Sequence, residues 1–202
     1  EILNKVCKEL YHRGPDENDI WLDKECNLGF AHTRLSIQDL SKNGSQPMFS
    51  NNSKFVIIFN GEIYNHHSIR SQLNLNNRIN WKGNSDTETF LEALSHWGIE
   101  KTLLKSSGMF AFALWDMQNK ILTLGRDRFG EKPLYYKLNE NELVFASELK
   151  AIKVISNNNN EIDADSLRSF ISLSYIPAPK TIYKTIYKVK PGTYIQKSLS
   201  DN

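Results

Sequence analysis

The sequence predicts an α+β fold in which two antiparallel sheets pack face to face with helices outside. Three observations lead there. Short polar stretches at 23–27, 117–120 and 139–142 separate successive strand-like segments. Turns that short join antiparallel strands, because parallel strands need long crossovers. Two segments, FVIIF at 55–59 and MFAFALW at 109–115, are apolar at every position, so both of their faces are covered. Segments 2–10 and 87–97 carry apolar residues at helical spacing and supply the outer layers.

The elements follow in order. Ile2, Leu3, Val6 and Leu10 stand at helical spacing, so the chain opens inside a helix. No N-cap precedes Glu1, which reads as a chain cut upstream of that helix. His12-Arg13-Gly14-Pro15-Asp16 is a turn, and 20–22 with 28–35 form a hairpin around 23–27. A loop over 41–48 carries Gly44 and Pro47, and the apolar run 55–59 then ends sharply at Asn60-Gly61. Helices come next at 68–73 and 87–97, the second with Phe90, Leu91, Leu94 and Trp97 on one face and Asp86 placed to cap it. Strand 109–115 turns through 117–120 into 121–124, and 134–138 pairs with 143–146. The asparagine run 157–160 divides the chain into a body, 1–156, and an extension, 157–202. In the extension, 162–171 is helical, Pro177 and Pro179 impose extended chain, and 181–197 is strand-like, crossed by Pro191-Gly192.

Composition bounds the function. The chain has 202 residues, 40% hydrophobic and 24% charged, enough for a full core without staples. Lys+Arg is 25 and Asp+Glu 23, and a net charge of +2 gives no reason to expect nucleic acid or an anionic membrane as partner. Two cysteines argue against a disulfide framework and for a reducing compartment. No apolar run approaches the ~20 residues of a membrane span, and no signal sequence opens the chain. The expectation is a cytoplasmic protein. The histidines show no zinc spacing and no glycine-rich phosphate loop is present, so neither metal nor cofactor is expected on this chain.

Several polar residues could carry chemistry. Arg34, within an otherwise apolar strand, is either a strand-end charge reaching solvent or a bidentate clamp on a carboxylate. Asn60-Gly61-Glu62 is either an Asn-Gly turn or a pair of donors, one side-chain amide and one unhindered backbone N–H, suited to an oxyanion. Ser85-Asp86-Thr87-Glu88 reads as a helix cap with an acidic first turn. Arg126-Asp127-Arg128 reads as an internal ion-pair turn. Cys7 lies mid-helix and is packed or idle; Cys26 sits in a turn with only Lys24 as a basic neighbour.

Taken together, HRGPD at 12–16, HTRLSI at 32–37, NGEIYN at 60–65, SDTE at 85–88, GMFAFALWD at 108–116, RDRFGEKPLYY at 126–136 and FASELKA at 145–151 resemble one family. It is the glutaminase domain of glutamine-hydrolysing asparagine synthetases, a class II, N-terminal-nucleophile glutamine amidotransferase. Weaker likeness, YIPAPKTIY at 175–183 and KPGTY at 190–194, continues nearly to the end. The resemblance implies a four-layer αββα sandwich, here with its first strand missing. It implies that Arg34 holds the α-carboxylate of L-glutamine, with Leu35 and Ile37 lining the site. Asn60 and the N–H of Gly61 would form the oxyanion hole, and Glu62 and Asp86 would bind the α-ammonium.

Two departures go with it. The family's nucleophile is an N-terminal cysteine whose own amine serves as base. Neither Cys7, in VCKEL, nor Cys26, in ECNLG, stands in that context. The expectation is therefore a chain without efficient glutamine turnover. The family's ATP- and magnesium-binding synthetase domain, which receives the ammonia and amidates aspartate, would follow where this sequence stops. Two other readings stay open: a nucleophile-free glutamine-binding module, and an amidotransferase for another acceptor such as a surface sugar. A homodimer is compatible with all of them.

Overall fold

The computed structural model describes residues 1–76, 78–140, 142–156 and 161–199. Strands β4 (Phe55–Ile63), β5 (Gly108–Asp116) and β6 (Ile121–Arg126) form the middle of a five-stranded antiparallel sheet. Its edges are β3 (Met48–Phe49) and β10 (Tyr194–Ser198), in the order β10-β6-β5-β4-β3. Alternation along each strand sorts its side chains to two faces. Ile57, Phe59, Ile63, Phe110, Phe112 and Leu114 pack with Ile69, Leu73, Phe90, Leu91 and Leu94 of α2 (His66–Asn76) and α3 (Asp86–Trp97). Val56, Ala111, Ala113, Trp115, Leu122 and Leu124 pack the other way, on Leu28, Phe30, Leu134 and Val189.

That second face meets another sheet layer. It consists of the hairpin β1 (Glu17–Asp23) and β2 (Leu28–Arg34), and of the three strands β7 (Tyr135–Leu138), β8 (Leu143–Ala146) and β9 (Tyr187–Lys188) in the order β8-β7-β9. On its far side, Val6 of α1 (Ile2–Glu9) and Ala151 and Ile152 of α5 (Leu149–Ile155) pack on Val144, Ala146 and Ile186. The layers run helix, sheet, sheet, helix, the four-layer α+β sandwich of the sequence reading. Both faces of 55–59 and 109–115 are covered, as their composition requires.

The differences are local. The strand at 55–59 does not stop at Asn60-Gly61; β4 runs on to Ile63, because β5 continues alongside and pairs Gly61 with Phe110 and Ile63 with Gly108. The close approach needs a glycine: a Cβ at Gly61 would stand 2.2 Å from the Met109 carbonyl oxygen and 2.6 Å from the Phe110 Cα. An Asn-Gly turn is therefore excluded. Ser85, not Asp86, caps α3, its hydroxyl accepting the Glu88 N–H at 3.1 Å. Two short helices, α4 (Ile99–Lys105) and α5, were too brief for periodicity to reveal. The asparagine run 157–160 and position 141 of the predicted 139–142 turn lie outside the described residues. Beyond the run, α6 (Ala164–Leu173) is capped by Asp163, after which β9 joins β7 and β10 joins β6. Among the described residues no helix is long and apolar enough to cross a membrane.

Candidate functional site

A cavity of about 1220 Å³ runs between the sheet layers, lined also by α1, β5 and β8, and reaches the β1–β2 hairpin, the edge of β4 and the start of α3. Arg34, Leu35, Ile37, Asn60, Gly61, Glu62 and Asp86 all line it, so the fold brings together every site residue singled out in the sequence.

The β4 edge explains the site. β3 pairs only with Ile57 and Val56, and past that point, among the described residues, β4 has no neighbouring strand on this side. Side chains take over. The Phe59 N–H donates to Gln46 Oε1 at 2.6 Å, and the Phe59 carbonyl faces His32 Nε2 at 3.3 Å. Four residues on, the Ile63 N–H donates to Asp86 Oδ2 at 2.8 Å. Backbone groups alternate in direction along a strand, so the Gly61 N–H lies between these two on the same open edge. The other edge agrees: Phe110, opposite Gly61, turns its N–H and carbonyl away to Asp127. Next to Gly61, the Asn60 Nδ2 is shut off from solvent and has no hydrogen-bond partner. A buried donor without a partner is rare and calls for a reason. Beneath both residues the strands are held by rings: Phe59, Phe90, Phe110 and Phe112 pack with centroids 5.3–6.3 Å apart.

Arg34 is buried, not reaching for solvent. Its Nη1 donates to Glu17 Oε2 at 3.1 Å and to the Ser41 carbonyl at 3.0 Å, and its Nη2 to the Asp39 carbonyl. The partner Glu17 is held below its ordinary pKa by the Ser45 hydroxyl and, against the effect of burial, by Arg34. A guanidinium has five N–H donors, so these bonds leave the Nε edge for a ligand. Asp86 is buried, and its oxygens accept from Ile63 N–H and Thr87 N–H. Burial raises its pKa, the two N–H bonds oppose that, and the Glu62 charge adds to it. Glu62 accepts from Gln38 Nε2 at 3.1 Å. Leu35 and Ile37 line the cavity but stay largely exposed, at 55% and 76%.

Not every polar motif belongs to the site. Within SDTE, Glu88 turns away and holds the neighbouring loop through the Lys82 and Gly83 N–H groups and Arg70. The Arg126-Asp127-Arg128 turn is not an ion-pair turn: its side chains bind backbone groups instead, Arg126 the carbonyls of Gly130, Lys132 and Val189, and Arg128 those of Leu103, Leu104 and Ser106. Cys7 is buried in α1, and burial together with Asp19 pushes its thiol up, opposite to activation. Cys26 is half-buried against the core between the sheets. Sequence reasoning missed Gln46, His32 and Glu17, because each acts across the fold on a partner 13 to 27 positions away. Among the described residues no group of three or more His, Cys, Asp or Glu could hold a metal ion.

Residues 1–201 match the sequence family described as glutamine amidotransferase domain. Asparagine synthetase [glutamine-hydrolyzing] 1 of Bacillus subtilis is 37% identical over 193 residues, which are 96% of this chain and 30% of that protein. Asparagine synthetase [glutamine-hydrolyzing] 3 of the same organism is 32% identical over 95% of this chain and 31% of its own length. Amidase chry2 of Gibberella zeae is 34% identical over 96% of this chain and 28% of its own. The chain thus spans about a third of the length of these relatives. Among solved structures, the allosteric regulatory enzyme of purine biosynthesis superposes with a TM-score of 0.57 at 19% identity, over 86% of this chain and 35% of that one. The glutamine phosphoribosylpyrophosphate amidotransferase of Bacillus subtilis gives 0.54 at 18%, with the same coverage. At that identity the likeness bears on the fold alone.

Proposed function

The chain belongs to the glutamine amidotransferase domain family and is homologous to the glutaminase half of asparagine synthetases, and from that premise we propose that its cavity binds L-glutamine through the residues on the open β4 edge. The observation that carries this reading is the pair of donors there, the unpartnered Asn60 Nδ2 and the Gly61 N–H. Two free donors on adjacent residues suit the oxygen of a carboxamide and the oxyanion it becomes. Arg34 takes the α-carboxylate on its Nε edge, Glu62 and Asp86 take the α-ammonium, and Leu35 and Ile37 cover the ligand. A free carboxylate, a free ammonium and a terminal carboxamide on one small molecule describe an amino-acid amide, and the family match points to glutamine.

The chemistry of the family is attack by a thiolate on that carboxamide: a C–S bond forms, the C–N bond breaks as the leaving nitrogen takes a proton and departs as ammonia, and water then hydrolyses the thioester to glutamate and the free thiol. Neither cysteine of these residues suits the nucleophile's part: burial raises the Cys7 thiol pKa, and Cys26 is half-buried in a turn against the core between the sheets. On this reading the ammonia goes to ATP-dependent amidation of aspartate by a synthetase domain of a longer polypeptide. No residue here is assigned to ATP or magnesium. We take 1–156 as the glutaminase body and 157–202 as an extension toward that domain, which adds edge strands to both sheets. The cytoplasm and a homodimeric state complete the reading.

Calorimetric titration of the 202-residue chain tests it. One saturable site for L-glutamine, lost with L-glutamine amide, which lacks the α-carboxylate, is the expected result. No heat at millimolar L-glutamine would overturn the reading.

A further inference from the structure

In an antiparallel ladder, a hydrogen-bonded residue exchanges both of its backbone bonds with the residue opposite. At Phe59 both bonds are made on the side away from β5, where among the described residues no strand is opposite. The N–H donates to Gln46 Oε1 at 2.6 Å, and the carbonyl faces His32 Nε2 at 3.3 Å. Gln46 comes from the loop before β3 and His32 from β2, so two separate elements converge on one residue, Gln46 on the peptide unit it shares with Ile58 and His32 on the one it shares with Asn60. A carbonyl only accepts, so Nε2 carries the imidazole proton. Nδ1 is then a bare acceptor, buried and without a partner. Protonating it would bury a second N–H with no acceptor, and burial accordingly lowers the ring's pKa to about 4. The ring is neutral and in one tautomer at physiological pH.

The substitution of side chains for a strand has a consequence two residues on. Had β3 continued antiparallel to β4, its next carbonyl would have taken the Gly61 N–H. With Gln46 and His32 in its place, the ladder ends at Phe59 and the next outward-facing donor stays open. We propose that His32 and Gln46 are positioning residues, a clamp on the two peptide units that flank the Phe59 Cα, which sets the direction of Asn60 and Gly61 while leaving their donors free for a ligand oxygen. The proposal rests on the glutamine reading of the site.

The test uses the full 202-residue chain, labelled with ¹⁵N, in four forms: wild type, His32→Leu, Gln46→Met and His32→Gln, the last retaining an N–H donor for the carbonyl. Without ligand, the clamp predicts faster hydrogen exchange at the Phe59 amide in His32→Leu and Gln46→Met than in wild type. With L-glutamine, it predicts a shift of the Gly61 amide resonance in wild type and about tenfold weaker affinity in those two variants, the weight of one net hydrogen bond. His32→Gln recovers affinity to within about threefold. Melting temperatures fall by no more than about 4 °C, so the loss of affinity exceeds any loss of fold. Unchanged Phe59 exchange in both variants, or wild-type affinity with the Gly61 shift intact, would overturn the clamp. Should His32→Leu not fold, Gln46→Met reads the same clamp from its other side. If wild-type protein shows no glutamine response, the functional reading falls, while Phe59 exchange still decides the clamp.

Discussion

Asn60 and Asp127 lie on opposite sides of Phe110, and the two regions handle polar groups in opposite ways. The Asp127 carboxylate accepts four backbone N–H groups, from Phe110 at 3.2 Å, Phe129 at 3.0 Å, and Glu131 and Lys132 at 3.1 Å. The flanking Arg126 and Arg128 each bind three carbonyls. In the charged turn these side chains are engaged inward. At the β4 edge, the Nδ2 of a side-chain amide has no partner and a backbone N–H lies on the open edge between two occupied neighbours. In sequence the charged turn is the more conspicuous of the two. The difference teaches that hydrogen-bonding capacity left over, and not density of charge, separates a binding site from a structural knot. The carboxylates follow suit. Burial would raise both, and at Asp127 the four N–H bonds outweigh it and hold the group below its ordinary value. At Asp86 two N–H bonds do not outweigh burial, and the neighbouring Glu62 adds to the rise.

The comparison breaks first at Asp127. Asp127→Ala orphans four N–H groups and should cost about 4 kcal/mol, lowering the melting temperature by roughly 10 °C. Glutamine affinity of the folded protein should stay within about twofold, because Asp127 faces away from the cavity. A variant that melts normally but fails to bind would reverse the two roles. Arg34→Ala should weaken glutamine about 50-fold by calorimetry, the weight of a buried charge-assisted pair; a loss under threefold would remove Arg34 from the site. Acid titration sharpens the contrast further. On the glutamine reading, binding needs an ionised Asp86, whose pKa burial raises, so affinity falls as pH drops through a value above the group's ordinary one. Asp127 has a lowered folded pKa, so its stabilisation is present above the unfolded value and is lost only as pH falls through that lower one. Affinity measured against pH should therefore fail before the melting temperature does.

Much of this was legible in the residues. The all-apolar runs 55–59 and 109–115 required covered faces, and short polar turns required antiparallel pairing. Arg34, Asn60, Gly61, Glu62 and Asp86 stood out as motifs, and they meet at one cavity. What stayed hidden was set by neighbours distant in sequence. Asn60-Gly61 reads locally as a turn, and only β5 running alongside shows it to be strand. Gln46 and His32 carry no local signal, since their role is to stand where a strand would be. Arg126 and Asp127 suggest an ion pair by adjacency, whereas the fold points them at different backbone groups.

The most direct measurement is Asn60→Ala, followed by thermal melting and glutamine calorimetry on the same sample. An amide whose Nδ2 has no partner in the protein contributes little to the fold, and deleting it removes an unsatisfied buried donor. The account predicts a melting temperature equal to or slightly above wild type, with glutamine bound about tenfold more weakly. A lower melting temperature with unchanged affinity would make Asn60 a structural residue and contradict the claim that this edge is kept open for a ligand.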